Sequence, residues 1–502
     1  MDLVTPPAVV PARHRRGAGV PPAPRTGDPS PARPRSTARR REPAGTPARV
    51  RLLALTVALL VAVLAVLITL EVRRERAGLA VIGEQTAPVV MASSDLYFAL
   101  SDMDAQLANI LLVGDETGLG FTRDEALTIY RDRRGEVSAA LQRAAETADA
   151  DPRAAQAVRG ILDALGRYET LAAQMILLDG QDPHPAGRPA APTLAKYRQA
   201  TDLLKAELLP AAQGLIDRNT QILEDTYQRQ RAVTFAVREW VVAAGAAALL
   251  AVLLLQVYLA RRFHRWLSPA LVLATLAVAG LGAGGLVLTT DGAEYLRVAK
   301  KDSFDSVLAL NRARAVSYDA NADESRYLVD PRRAAAYEKA FFGKTDQLVS
   351  LDGATLPTFD GRLAAALRDY RAGKGAGWQG FYGKAFRNIT FEGEDTAAER
   401  TLVAYQTYQV DDRRIRALAG SGRLRAAIAF CTSYQPGDSN YHFSAYDKEL
   451  AAWIGINEGW FERSIRDGER QLAGWTIIPA ATASTVLVLL VLGVRRRVGE
   501  YR

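Results

Sequence analysis

The sequence has few of the residues that build metal centres and disulfides. It contains one cysteine, Cys431, and four histidines among 502 residues. A single cysteine forms no intramolecular disulfide, and no histidine lies at metal-ligand spacing from another histidine or from Cys431. The stretches AIAF and TSY, which flank Cys431, indicate that this residue is a small buried apolar side chain and not a reactive thiol. We therefore expect a fold that is held together by packing alone, with no metal and no cofactor.

Catalytic motifs are also missing. The chain contains no G-x-x-x-x-G-K-[ST], no G-x-S-x-G and no H-E-x-x-H. The stretch GLGAGG at 280–285 superficially suggests a nucleotide-binding loop, but it lies inside an apolar run. There Gly280 and Gly284, four residues apart, predict a helix-packing face. We therefore predict that the protein is not an enzyme.

Charged residues are absent from four long apolar runs. Each run has about 20 residues, enough to cross the hydrocarbon core of a bilayer as a helix. They predict transmembrane helices at 52–70, 240–260, 266–290 and 475–494. Transporters usually place ionisable groups within the membrane. A transporter component is therefore a less favoured alternative.

The net charge of +8 comes from the flanks of these runs. Basic residues are concentrated in the tail 1–51, in the link 261–265 and at the end 495–502, whereas 71–238 and 291–472 are acidic or neutral. Short basic segments stay in the cytoplasm. This pattern predicts a multi-pass plasma-membrane protein with cytoplasmic N- and C-termini and two large external segments.

The arginines of the Pro-rich tail 1–51 do not indicate nucleic-acid binding, because the tail lacks aromatic residues for stacking on bases. The tail 1–51 is rich in Pro, Ala and Arg, a composition typical of disorder. In the link, Arg261, Arg262 and Arg265 are candidate membrane anchors or contacts for a cytosolic partner.

The external segments have helical periodicity without strand-like alternation. Leu96, Leu100, Met103, Leu107 and Ile110 form one apolar seam of a long helix. We predict an all-α membrane protein with four transmembrane helices and two extracytoplasmic four-helix bundles, at 71–238 and 291–472.

Local sequence signals divide the first bundle into helices. Thr122 and Glu125 match a capping box at a helix start, and the Gly- and Pro-rich stretch 180–192 predicts a loop. Pro88 and Pro210 are expected to interrupt or kink their helices.

The two external segments are interpreted as a tandem repeat. At a constant offset of 216 positions, four residues of the first half meet identical residues of the second: Ala99, Ser101, Leu112 and Val113 align with Ala315, Ser317, Leu328 and Val329. The same alignment places Asp319 and Asp323 opposite the seam residues Met103 and Leu107, which counts against it.

Polar residues crowd beside the seam in both halves. They are candidates for binding a small polar ligand or a partner protein: Asp102, Asp104 and Asn109 in the first half, and Asp319, Asn321, Asp323 and Arg326 in the second. The alternative is an ordinary solvated helix face.

The helix segments LYFALSDMDAQLANILL and NYHFSAYDKELAAWIGINEGWFE, the four-span topology and the Ala/Arg-rich composition resemble the actinobacterial GlnX-type membrane proteins. The resemblance covers residues 51–497. It implies a protein that couples an external amino-acid-binding lipoprotein to a soluble Ser/Thr kinase in the cytosol.

We therefore expect a non-enzymatic membrane sensor or relay for signal transduction. Its expected partners are the lipid bilayer, a periplasmic solute-binding lipoprotein, a cytosolic Ser/Thr kinase and a second copy of the chain, and its expected ligand is a small polar molecule such as an amino acid. The alternative is a structural or scaffolding membrane protein.

Overall fold

The fold is built almost entirely from α-helices. The computed structural model describes residues 46–148, 152–263 and 268–498. The structure is 87% helical, and the described residues contain no strand, only an isolated bridge between Ser350 and Gln379. The prediction of an all-α membrane protein is therefore confirmed. The tail before residue 46, Arg265 and the side chain of Arg262 lie outside the described residues.

The described helices of the first half begin at Thr46. They are α1 (Thr46–Ala80), α2 (Ala87–Val113), α3 (Arg123–Ala148), α4 (Pro152–Gln181), α5 (Ala191–Leu203) and α6 (Leu209–Phe263). The predicted loop at 180–192 thus coincides with the connection between α4 and α5.

The described helices of the second half begin at Pro269. They are α7 (Pro269–Arg297), α8 (Asp305–Val329), α9 (Ala334–Leu348), α10 (Phe359–Arg371), α11 (Gly380–Phe386), α12 (Glu394–Gly420), α13 (Leu424–Thr432), α14 (Ser439–Ala473) and α15 (Ile478–Val498). Short 3₁₀ turns at Leu356–Thr358 and Gly474–Thr476 precede α10 and α15.

Four of the described helical runs are long and apolar enough to cross a membrane. They are Ala48–Val113, Ala191–Arg261, Pro269–Val329 and Ser439–Arg495. Because about 20 residues cross the hydrocarbon core, each run extends far beyond it. In the fourth run the 3₁₀ turn Gly474–Thr476 joins α14 to α15. Leu55, Leu276 and Val488 expose more than half of their surface in the apolar stretches, as lipid-facing side chains do. These helices indicate a multi-pass membrane protein.

Three π-helical segments join α-helices into these long runs: Val81–Thr86, Leu204–Leu208 and Val298–Phe304. The first two lie immediately before Pro88 and Pro210. Proline has no N–H to donate and its ring clashes with the preceding turn, and a π-helical segment changes the local hydrogen-bond register. The helices therefore continue through both prolines instead of ending there.

The predicted local signals are confirmed at two places. The backbone N–H of Thr122 donates to Glu125 Oε2 at 2.7 Å, and the N–H of Glu125 donates to Thr122 Oγ1 at 3.2 Å, which is a reciprocal capping box. The five seam residues of α2 are completely buried.

One apolar core combines residues of both halves of the chain. The core around Leu107 and Leu111 of α2 also includes Ala315 and Leu328 of α8 and Ile428 of α13. Residues 98–113 of α2 are buried on every face, not only along the seam. A second core is formed by aromatic residues of α9 to α14. The tandem repeat itself stays a prediction.

Candidate functional site

The two polar clusters predicted from the sequence lie where α2 packs against α8. Asp102, Asp104 and Asn109 are buried on α2, and Asp319, Asp323 and Arg326 are buried on α8. The alternative of a solvated helix face is therefore wrong for these six residues, because α2 and α8 are surrounded by other helices. Asn321 is half-buried.

Arg326 is the centre of a buried ion cluster. Its Nη2 donates to Asp104 Oδ2 at 2.8 Å and its Nε donates to the same oxygen at 3.1 Å. Its Nη1 donates to Asp323 Oδ1 at 2.6 Å and to Asp319 Oδ1 at 3.0 Å. One guanidinium group thus binds one carboxylate of the first half and two carboxylates of the second.

Two further helices supply neutral partners for Asp104. The Tyr168 hydroxyl of α4 donates to Asp104 Oδ1 at 3.1 Å, and the Thr201 hydroxyl of α5 donates to it at 3.0 Å. Both side chains are buried. A buried carboxylate needs such hydrogen bonds because it has lost its hydration, so α4 and α5 are fixed against the cluster.

Two lysines complete the charge balance. Lys205 Nζ lies 2.8 Å from Asp323 Oδ1, and Lys344 Nζ lies 2.6 Å from Asp319 Oδ2 and also contacts Asp323. Three cations thus face three carboxylates. Burial alone would raise the pKa of Asp319 and Asp323, but Lys344 and Arg326 outweigh it and hold both pKa values below the usual range. Burial and the nearby Arg326 lower the pKa of Lys205.

The lysine side of the cluster opens into a cleft of about 600 Å³. Lys205, Lys344 and Asp319 line it, together with Arg312 and Asp217, whose Nη2 and Oδ1 are 2.5 Å apart. The side chains of Lys205 and Lys344 are 30% and 14% exposed, whereas Arg326 is fully buried. The lysines are therefore the part of the cluster that a ligand can reach.

The other predicted residues make local contacts outside this cleft. Asp102 Oδ2 accepts from Arg133 Nε at 2.5 Å. Asn109 Oδ1 accepts from the Ser325 hydroxyl at 2.9 Å, a second link between α2 and α8. Asn321 Nδ2 donates to Glu324 Oε2 at 3.3 Å.

Sequence reasoning missed Lys205 and Lys344, which lie in LLKAELL and FFGKTDQL on helices remote in sequence from Asp319. Neither stretch has a motif. The only available signal was the alignment that placed Asp319 and Asp323 opposite apolar seam residues, because a buried aspartate requires cationic partners.

One candidate cytosolic contact lies on the surface of the described chain. Arg261 is exposed near the end of α6. In the described part of the chain, no group of three or more His, Cys, Asp or Glu side chains could hold a metal ion.

Residues 78–228 match a family model described as "Actinobacterial sensor domain". The match supports an actinobacterial sensor protein. It extends from the end of α1 into α6 and contains Asp104, Tyr168, Thr201 and Lys205. No curated protein and no solved structure gives a significant match to the chain.

Proposed function

We propose that this protein is a non-enzymatic membrane sensor and relay whose cleft binds a small zwitterionic ligand, such as an amino acid. The observation that carries this proposal is the cleft beside the buried ion cluster, where cations and carboxylates face the same space. The sensor-domain match supports a sensing role for the segment that contains Lys205.

The charges of the cleft fit a ligand with one carboxylate and one ammonium group. Lys205, Lys344 and Arg312 provide cationic donors for the carboxylate, and Asp319 and Asp217 provide acceptors for the ammonium. When a zwitterion binds, ion pairs between side chains of the protein are replaced by ion pairs between these side chains and the ligand. This exchange leaves no buried charge without a partner.

The helices that carry the cleft continue toward the membrane. Asp319 belongs to the run Pro269–Val329, and Lys205 belongs to the run Ala191–Arg261. A ligand that binds one arrangement of these helices more tightly than another shifts the population toward that arrangement. Such a shift reaches the apolar stretches without crossing a loop.

The partners of the relay follow from the resemblance to GlnX-type proteins and are hypotheses. In this proposal a solute-binding lipoprotein delivers the amino acid on the outer side, and a soluble Ser/Thr kinase is contacted inside, with Arg261, Arg262 and Arg265 as the first candidate contacts. A homo-oligomer is compatible with this arrangement. The orientation rests on the basic flanks, and a reporter inserted between Asp182 and Pro189 should be accessible from outside.

The proposal is tested by thermal unfolding of the full-length protein in nanodiscs with each standard amino acid in turn. At least one amino acid should raise the unfolding temperature of the wild type, because a ligand that binds only the folded state stabilises it. Lys344→Gln should abolish this increase. Lys339→Gln, which changes an exposed lysine of the same helix outside the cleft, should retain it.

A scaffolding role is the second candidate. It is favoured by Arg326, because its guanidinium group is fully buried and already bound to three carboxylates of the protein. The sensor proposal fails if no amino acid changes the unfolding temperature, whether it is added alone or together with a solute-binding protein. The ion cluster would then only join helices.

A further inference from the structure

A second cavity, of about 520 Å³, lies between α1, α6, α7 and α14. Its apolar wall includes Leu79, Phe235, Leu296 and Leu472. Each of these residues lies within about three helical turns of the end of a predicted transmembrane run. The cavity is therefore near the level of the lipid headgroups, on the side of the membrane that carries the helical region.

One wall of this cavity carries a carboxylate that lacks a partner. Glu75 lines the cavity, is 6% exposed, and has no hydrogen-bond partner on either carboxylate oxygen within the described residues. Glu71, one turn earlier on α1, is 1% exposed, and its Oε1 also lacks a partner, although Thr234 hydrogen-bonds its carboxylate. Burying such groups is unfavourable unless a cation or a proton neutralises them.

The facing helix leaves room for this carboxylate. A Cβ atom at Gly292 of α7 would lie 2.7 Å from both Oε1 and Oε2 of Glu75. Any side chain at position 292 would therefore push the Glu75 carboxylate aside. The absence of a side chain there keeps the space beside Glu75 open.

The α6 wall of the cavity carries two arginines without acidic partners. Arg231 and Arg238 of α6 both line the cavity, and their guanidinium carbons lie 5.5 Å and 5.2 Å from the centre of the Phe235 ring. Within the described residues neither forms an ion pair. The cavity is thus lined by an unpaired carboxylate of α1 and by two unpaired guanidinium groups of α6.

We propose that this cavity binds the headgroup of phosphatidylethanolamine. In this arrangement Glu75 accepts hydrogen bonds from the ammonium group, and Arg231 and Arg238 donate to the phosphate. Phe235 and Leu472 contact the first part of the acyl chains. The bound ammonium neutralises a carboxylate that the protein itself leaves without a partner.

The required chemistry excludes other common headgroups. A trimethylammonium group has no N–H to donate to Glu75, so phosphatidylcholine satisfies the arginines but not the carboxylate. Phosphatidylglycerol has no cation at all and brings a further anion near Glu75. Free phosphoethanolamine has the same polar groups as the lipid but no acyl chains, so it lacks the proposed contacts with Phe235 and Leu472.

The proposal is tested with the full-length protein, reconstituted in vesicles with equal amounts of phosphatidylethanolamine, phosphatidylcholine and phosphatidylglycerol. Lipids that remain bound after extraction are counted by native mass spectrometry, and a parallel sample of the protein is incubated with free phosphoethanolamine. Wild-type protein should retain phosphatidylethanolamine preferentially. Glu75→Gln should reduce this preference about tenfold or more, as expected for the loss of a charge-assisted hydrogen bond. Arg238→Ala should weaken the retention of every phospholipid.

Matched variants separate binding from folding. Glu239→Gln and Arg229→Ala change exposed residues of α6 outside the cavity and should behave as wild type. Gly292→Ala, which narrows the space beside Glu75, should reduce retention, whereas Gly280→Ala, with nothing within 4 Å of its Cβ, should not. Glu75→Gln should unfold at the wild-type temperature or above it, so a lower retention would not reflect unfolding.

Three results would overturn the proposal. Equal retention of phosphatidylethanolamine and phosphatidylcholine would mean that a proton, not an ammonium, neutralises Glu75. A preference for phosphatidylglycerol would mean that the arginines alone select the lipid. Retention of free phosphoethanolamine without any lipid preference would identify a soluble ligand instead.

Discussion

Arg326 of the second half and Asp104 of the first half form an ion pair in which Nη2 lies 2.8 Å from Oδ2 and neither side chain is exposed. The two residues are 222 positions apart in the sequence. Their helices, α8 and α2, each continue into a predicted transmembrane run. The contact therefore joins the two halves of the chain close to the cleft that we propose as the sensory site.

Replacing Arg326 should be among the most destabilising changes to a charged residue in this protein. Arg326→Met leaves three buried carboxylates with only two lysines, and breaking a buried ion pair costs about 3–5 kcal/mol. Arg470→Met removes the exposed Arg470–Asp467 pair and should cost about 1 kcal/mol or less. Denaturant unfolding of the full-length protein in detergent measures both. Equal effects would contradict the view that the buried cluster joins the halves.

His184 should make the stability of the loop between α4 and α5 depend on pH. Its Nε2 lies 2.9 Å from Asp179 Oδ1, and its Nδ1 lies 2.9 Å from the Pro185 carbonyl oxygen. The hydrogen bond with Asp179 raises the pKa of His184 above its ordinary value, although burial opposes this. The imidazolium therefore stabilises the fold fully below the ordinary histidine pKa of about 6.5, and this contribution is lost as pH rises through the raised value.

The measurement for His184 is the difference in unfolding free energy between wild type and His184→Gln across this pH range. The difference should decrease as pH rises. In an Asp179→Asn background it should become nearly independent of pH. A difference that increases with pH would contradict the assigned ion pair.

The packing of α7 depends on Gly284 and not on Gly280. A Cβ at Gly284 would collide with the Trp475 ring, and a Cβ at Gly285 would lie 2.7 Å from Ile68 Cδ1, whereas nothing lies within 4 Å of a Cβ at Gly280. The predicted packing face was therefore wrong for Gly280. Gly284→Ala should destabilise the protein by about 1–3 kcal/mol because overpacking forces the ring to move.

Gly280→Ala is the control for this prediction. It should be neutral or slightly stabilising, since alanine has the higher helix propensity. Thermal unfolding of both variants in the same detergent gives the comparison. A larger loss for Gly280→Ala would show that α7 packs through a different face.

Local sequence patterns were sufficient to predict the helices but not to predict the site. The apolar runs, the seam of α2 and the Thr122–Glu125 capping box depend on neighbours along the chain, so they could be read directly. The burial of α2 on all faces could not, because an apolar seam marks the most hydrophobic face and does not reveal which helices cover the others.

The composition of the site depends on contacts that periodicity does not encode. Asp104, Asp323 and Arg326 could be singled out as polar residues in unusual positions. Their meeting could not be predicted, since nothing in the sequence indicates that α8 packs on α2. Lys205 and Lys344 were missed because a lysine near a helix surface is usually solvated, and only the packing of the segment Leu204–Leu208 and of α9 brings them to the aspartates.

The relay is tested most directly by a distance measurement between the membrane helices. Spin labels at the exposed positions Leu52 and Leu273 lie in the runs that carry Asp104 and Asp319, at the ends of these runs remote from the cleft, and report their separation in nanodiscs by pulsed electron paramagnetic resonance. An amino acid that stabilises the wild type should shift the distance distribution, and Lys344→Gln should abolish the shift while Lys339→Gln retains it. Ligand binding with an unchanged distribution in the wild type would contradict the relay.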